Sequence, residues 1–284
     1  MRFATSSTAF RGYSVEKIIQ IADEAGLALE FSSGLPYRED MEDLFLNAPM
    51  ERLPHNYFPA PRDPFVLNLA SLDDVVWQRS VDHCARGLKL TAQVGAPFYS
   101  VHAGLCVDPA PSHLGKGFSL EMAYPRSEYW SKFMDTVQKL VEMAEKLDVG
   151  FHVENNVVTR QNMLPDGSSP LLCADPDECL RLVEGVRSPA LGLHLDTGHL
   201  KVSANSLDFP KSDFISKVGG CIRSIHHSDN LGEEDTNDPI DLNYWFLEYM
   251  SRFGASYHIL EVHDQSPSQI QQQFDTLKKS AGNA

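Results

Sequence analysis

One coarse unit recurs along this chain: a short β-branched or aromatic run, a polar loop, then an amphipathic stretch ending near glycine. It can be counted eight times. The predicted strands are Arg2–Thr5, Leu27–Phe31, Arg52–His55, Phe98–His102, Gly150–Glu154, Leu191–Asp196, Ile222–His227 and Tyr257–Val262. Helical patterns lie between them at Ser14–Ala25, Leu72–Val94, Ser127–Leu147, Pro176–Val186, Phe209–Val218, Leu242–Phe253 and Pro267–Ala281. Ser14 stands where a helix N-cap belongs, Ser266-Pro267 places proline at a first helical position, and Gly26, Gly95 and Gly254 follow helix ends, where a left-handed cap is expected.

Strands that alternate with helices pair in parallel, and eight such units suffice to close a barrel. The chain has 284 residues, and no Gly/Ser- or Pro-rich linker divides it, so the expectation is an α/β fold made of one (β/α)8 barrel spanning residues 1–284. That fold typically needs about 250 residues. The competing open doubly wound sheet would carry a glycine-rich phosphate turn after its first strand, where this chain reads Thr5-Ser6-Ser7-Thr8-Ala9-Phe10.

A closed parallel barrel keeps its strand interiors apolar and places its chemistry on the C-terminal rim. Polar residues end many strands here: Glu30, His55, His102, Glu154, Asp196, His226 and Glu261. Any one of them is most simply a rim residue hydrogen-bonded to a loop. The last four strands, however, deliver Glu154, Asp196, His226 and Glu261 about one βα unit apart, so all four side chains can converge above the barrel axis. Three carboxylates and an imidazole brought together would repel one another, and a divalent cation removes that conflict. A carboxylate-rich set with one imidazole favours Mn2+, Mg2+ or Co2+, with Mn2+ preferred, over Zn2+.

Strand alternation decides between His226 and His227. Apolar Ile225 belongs against the outer helices, which sends its neighbour His226 to the mouth and leaves His227 in the wall; a local bulge would reverse the assignment. His152 and His194, two residues before Glu154 and Asp196, share their inward faces and read as structural residues of a lower layer.

The formal net charge of −15 disfavours nucleic acid as a partner, since phosphate neutralisation needs a basic face. The cysteines Cys84, Cys106, Cys173, Cys179 and Cys221 have no paired spacing and imply neither a disulfide framework nor a zinc knuckle. The opening MRFATSSTAFRGYS lacks the apolar run of a signal peptide, and no stretch approaches bilayer-spanning length. The expectation is a soluble cytoplasmic protein with no membrane partner; self-association into a homo-oligomer stays open.

Several pieces resemble a known family: FHVENN with Glu154, GLHLDTGHLKVSA with Asp196 and His199, SIHHSDN with His226 and HILEVHD with Glu261. These are similar to the xylose-isomerase-like barrel superfamily, which contains sugar and sugar-phosphate isomerases and epimerases, inosose dehydratases and the AP endonuclease branch. The resemblance implies that Glu154, Asp196, His226 and Glu261 ligate one divalent metal ion, with Glu154 and Glu261 also serving as catalytic acid and base. The implied activity is isomerisation or epimerisation of a small carbohydrate, a sugar or sugar phosphate, through an enediolate. A dehydratase using the same chemistry is the alternative.

Leu53-Pro54-His55-Asn56-Tyr57 and Ser100-Val101-His102-Ala103-Gly104 resemble the endonuclease branch, where the matching histidines bind a second metal beside the residue matching Glu154. A zinc phosphodiesterase is therefore a further reading. It lacks the Asp-x-His expected after the seventh strand, which reads Asp238-Pro239-Ile240 and leaves His199 without partners. His55, His102 and His199 are expected either to touch substrate and orient carboxylates or to hold that second metal. Residues 102–126 form the longest connection and suggest a lid, and the loop after Glu154, with Arg160, Gln161 and Asn162, could supply hydroxyl or phosphate contacts.

Overall fold

The computed structural model describes residues 1–111, 125–164 and 166–282. Among them, eight strands form one parallel sheet: β1 (Arg2–Ser6), β2 (Ala28–Phe31), β3 (Arg52–Pro54), β4 (Phe98–His102), β5 (Gly150–Glu154), β6 (Leu191–Asp196), β7 (Ile222–His227) and β8 (Tyr257–Leu260). Neighbouring strands run β3-β2-β1-β8-β7-β6-β5-β4, and a parallel bridge between His55 and Ser100 joins the two ends. The sheet is thus a closed (β/α)8 barrel, and the open alternative is excluded.

The surrounding helices are α1 (Val15–Glu24), α2 (Met41–Asn47), α3 (Asp74–Gln93), α4 (Arg126–Leu147), α5 (Pro176–Val186), α6 (Thr197–Ser206), α7 (Lys211–Val218) and α8 (Pro267–Gly282). Side-chain caps set several starts: Ser14 accepts from the Lys17 amide, Asp73 from Val75 and Val76, and Asp175 from Asp177 and Glu178. Gly26 and Gly95 take the expected left-handed conformation, with φ of 63° and 66°. Gly254 does not. Its φ is −56°, because the segment before it, Trp245–Phe253, winds as a 3-10 helix rather than the expected α-helix from Leu242. Phe246, Met250 and Phe253 still bury one face of it, so the apolar spacing was a true signal of burial although the backbone is tighter.

Strand alternation divides the interior. Outward residues such as Leu29, Phe31, Tyr99, Val101, Phe151, Val153, Leu193, Leu195 and Ile225 pack with the helices in the main core. Inward residues Ala4, Leu53, Phe98, Tyr257 and Ile259 fill the lower barrel. His152 stacks on Phe98 at 4.2 Å between ring centroids, and both His152 and His194 bond through Nδ1 to Ser224 Oγ, at 2.7 and 2.6 Å. The chemistry-bearing ends sit directly above this plug. Among the described residues all five cysteines are free, and no helix is long and apolar enough to cross a membrane.

Candidate metal centre

Register brings the strand ends together. Asp196 pairs with His226 across β6 and β7, His102 with Glu154 across β4 and β5, and the Glu261 amide donates to the His227 carbonyl at 3.1 Å. His226 points inward, as alternation required. Its Nδ1 lies 3.0 Å from Glu261 Oε2, 3.6 Å from Glu154 Oε1 and 3.7 Å from Asp196 Oδ2. One donor atom from each of these four residues lies within 4.8 Å of the others. His227 faces the wall, between the Tyr244 hydroxyl at 3.0 Å and His258 Nδ1 at 2.9 Å.

Two of these side chains, His226 and Asp196, are held on one side and left bare on the other. His226 Nε2 meets both oxygens of Glu30, at 3.0 and 3.1 Å, which turns Nδ1 toward the centre. Asp196 caps α6 with Oδ1, which accepts from the His199 amide at 2.7 Å, while Asn155 clamps its backbone on both sides. What remains is Asp196 Oδ2, both oxygens of Glu154 and His226 Nδ1. All are buried, and none has a hydrogen-bond partner, since the short approach to Glu261 lacks hydrogen-bond geometry. Buried polar atoms are rarely orphaned without a reason. Lone pairs of three side chains that face one point beside a further carboxylate fit a shared divalent cation, so this donor set passes the test for a metal centre.

Electrostatics agrees. Burial favours the neutral carboxyl at Glu154, yet His102, His55 and His226 hold it well below the usual carboxylate range. Burial likewise opposes charge on His226, but Glu261 and Glu30 keep its pKa well above the ordinary value. Burial pushes Glu261 up to about 7, against the pull of His226 and with Asp196 and Glu154 adding to the rise. Protons on imidazole and carboxyl groups thus balance a cluster of acidic side chains, a balance that a divalent cation can supply instead.

The other histidines divide. His55 Nδ1 bonds Ser100 Oγ at 2.9 Å, and its Nε2 lies 3.4 Å from Glu154 Oε2; burial brings its pKa down to about 4. His102 Nε2 lies 3.9 Å from the same oxygen. His55, His102 and Glu154 therefore make a second group of donor atoms within 4.8 Å of one another. His199 joins neither group. It is held by other groups instead: Nδ1 lies 2.9 Å from the Asn155 carbonyl, and Nε2 lies 3.2 Å from Asp235. Glu30, Asn155 and Asp235 are the participants that the sequence reading did not enlist.

A cavity of about 670 Å3 opens beside the centre, with His102 and Asp235 in its lining. Gln161 and Asn162 reach it from the loop after β5, and Leu105 and Pro111 from the loop after β4. Residues 112–124, most of the expected lid, lie outside the described residues.

A family model described as the xylose isomerase-like TIM barrel matches residues 4–280. The chain belongs to this family. No curated protein sequence matches it. Among solved structures, this xylose isomerase-like barrel is similar to a D-tagatose 3-epimerase-like protein, with TM-score 0.75 and 19% identity over 99% of this chain and 97% of the other. It is also similar to D-psicose 3-epimerase with D-tagatose from Clostridium cellulolyticum H10, with TM-score 0.63 and 14% identity over 99% and 96%. A third is the IOLI protein with a binding zinc atom, with TM-score 0.65 and 13% identity over 99% and 98%. At such identities these likenesses establish the fold.

Proposed function

We propose that this barrel is a divalent-metal-dependent epimerase or isomerase of a small sugar. The observation that carries the reading is the set of buried, unpartnered atoms of Glu154, Asp196 and His226 that face one point beside Glu261. These four residues would hold the ion, with Mn2+ preferred because three of the four donors are carboxylates. Bound there, the cation supplies Lewis acidity to the carbonyl and neighbouring hydroxyl oxygens of an open-chain sugar.

The proton traffic belongs to the chain. Glu261 keeps 13% of its side chain exposed and takes the proton from the carbon next to the carbonyl, leaving an enediolate. Glu154, which takes up a proton from solvent when substrate binds, delivers it to the opposite face, which inverts the centre and leaves Glu154 ionised, while Glu261 releases its proton to solvent; return of the proton by Glu261 to the neighbouring carbon isomerises the sugar instead. Glu30 steadies His226, and His102, 34% exposed toward the cavity, meets substrate hydroxyls. The 3-epimerases among the fold neighbours are consistent with this chemistry.

Mn2+-loaded protein incubated with ketoses in heavy water tests the reading. Deuterium should enter the carbon beside the carbonyl, and Glu261→Gln should slow its entry by at least the 10²-fold typical of a lost general base. No deuterium in any sugar, or equal exchange by the variant, refutes it. Loss of water from the sugar would assign a dehydratase. The His55, His102 and Glu154 group favours one other reading, a two-zinc phosphodiesterase, for which two zinc ions per chain and phosphodiester cleavage would speak.

A further inference from the structure

The β6–β7 ladder does not by itself fix the spacing of Asp196 and His226. Its register shifts between Leu193 and His194, and Asp196 with His226 is its last pair. An irregularity of that kind re-aims the side chains beyond it. Past the last pair a side chain takes over from the ladder. Thr197, next to Asp196, donates through Oγ1 to the His226 carbonyl at 2.9 Å, stands 3.2 Å from the Ser228 carbonyl and accepts from the Ser228 amide at 3.4 Å. One hydroxyl thus grips the backbone on both sides of His227. Gly198 admits the close approach, since a Cβ there would come 2.5 Å from Ser228 Oγ.

That hydroxyl is itself braced. The Tyr244 hydroxyl bonds it at 2.6 Å, and His227 Nδ1 lies 3.0 Å from the same phenol oxygen. Beyond it, His227 Nε2 lies 2.9 Å from His258 Nδ1 on β8. Thr197, Tyr244, His227 and His258 are all buried. Because His227 faces the wall, this network reaches the centre only through the backbones that carry Asp196 and His226. Buried groups stripped of a partner cost more than the bond itself contributes, so without the hydroxyl the segment after β7 would shift to satisfy its peptide groups elsewhere. A shift there moves His226 relative to Asp196, and metal sites tolerate little such movement.

Resting on the metal centre of the epimerase reading, we infer that Thr197 is a positioning residue for that centre: its hydroxyl, braced by Tyr244, holds the backbones of Asp196 and His226 at the spacing the cation needs. The hydroxyl carries the role and the bulk does not, so serine should serve in place of threonine and the isosteric valine should not.

Calorimetric Mn2+ titrations and the electron paramagnetic resonance spectrum of the bound ion test this on wild type, Thr197→Val, Thr197→Ser and Tyr244→Phe, with circular dichroism checking that each variant folds. Thr197→Val should weaken Mn2+ binding about tenfold or more and alter the spectrum, Tyr244→Phe should weaken binding by more than about threefold, and Thr197→Ser should stay within about threefold of wild type with an unaltered spectrum. A merely structural hydroxyl would lower the Tm of Thr197→Val in EDTA and leave affinity and spectrum unchanged, which overturns the inference. An equal loss in Thr197→Ser and Thr197→Val overturns it too, and so does unchanged affinity in Tyr244→Phe, which decides alone if Thr197→Val does not fold. Deuterium exchange separates this inference from the reading it rests on. Mn2+ binding that is weakened in Thr197→Val, with no exchange into any ketose by wild type, keeps the positioning residue and refutes the epimerase. Exchange by wild type with unchanged Mn2+ affinity in Thr197→Val does the reverse, and a wild-type protein that takes up no Mn2+ refutes both.

Discussion

Replacing Glu154 with glutamine should remove most of the stabilisation that a metal confers on the barrel. Glu154 is completely buried and neither of its oxygens has a hydrogen-bond partner, but His102, His55 and His226 hold it ionised, so glutamine also removes attractions that the metal-free fold uses. The readout is therefore the metal-dependent rise rather than the absolute Tm. A ligand that binds only the folded state adds RT ln(1 + [L]/Kd), about 4.1 kcal/mol at a thousandfold excess over Kd. Unfolding entropy near 60 °C is about 2.1 cal/mol/K per residue, or about 0.6 kcal/mol/K for 284 residues. The wild-type Tm should therefore rise by about 7 °C when a thousandfold excess of Mn2+ over Kd replaces EDTA. In Glu154→Gln the rise should fall to about 1 °C, starting from an EDTA value below that of wild type. Thermal melts followed by circular dichroism measure all four values. A wild-type Tm indifferent to Mn2+ refutes the centre, and an equal rise in the variant refutes the place of Glu154 in it. An EDTA value equal to that of wild type would show that the fold gains nothing from the pairing of Glu154 with His102, His55 and His226.

Three further outcomes follow from the same geometry. Glu30→Gln leaves the direct donors intact but loosens the grip on His226 Nε2, so calorimetry should show Mn2+ affinity reduced roughly 10–100-fold; unchanged affinity would mean that Glu30 does not orient the ring. Burial lowers His83 and His258 to about 4, well below the ordinary 6.5, so between these values the unfolded chain takes up protons that the folded chain refuses. Their stabilising contribution is complete above pH 6.5 and is lost as pH falls toward 4, at about 1.4 kcal/mol per pH unit for each. Urea midpoints in EDTA at pH 7.5, 6 and 5 should fall in that order, and replacing both histidines by glutamine should make the fall shallower without abolishing it, because burial lowers His55 and His152 as well. Gly87→Ala would place a Cβ 2.6 Å from the buried Tyr99 ring, and an overpacking cost of about 1–3 kcal/mol should lower Tm by about 2–5 °C; no change would mean that α3 can move off β4 freely.

The strands were legible because a parallel sheet buried on both faces imposes nearly continuous apolar runs bounded by turns, as in GFHVE and LGLHLD. All eight sit within about two residues of their expected ends. The helices that escaped were those without a polar face or without length. In α6, seven of ten residues are buried, so TGHLKVSANS shows no alternation of wet and dry sides. With only seven residues, α2 completes too few turns for a period to show. The 3-10 segment before Gly254 shows a complementary limit: periodicity reports which side chains are buried, and spacings of three and four suit a 3-10 turn almost as well as an α-helix.

At the site, what could be read was whatever local chain geometry already determines. Asp196 illustrates this. Its carboxylate accepts the His199 amide three residues on, so D-T-G-H is first a helix N-cap, and the cap fixes which oxygen is left for the centre. Gly198 lies within the same turn because a Cβ there would come 2.5 Å from Ser228 Oγ, so the motif also records how closely α6 packs against the segment after β7. Glu30 has no such local signature. Its partner His226 is 196 residues away and meets it across the barrel axis, a contact created by closure of the sheet rather than by any spacing along the chain. Strand-end position put both residues on the rim, but only the barrel's diameter and register determine which rim residues touch. Asp235 is one step further removed, since it lies in an irregular loop where neither strand alternation nor helical period applies. The donors that face the centre were therefore readable from their strands, while the carboxylates that orient histidines emerged only once the strands were closed into a ring.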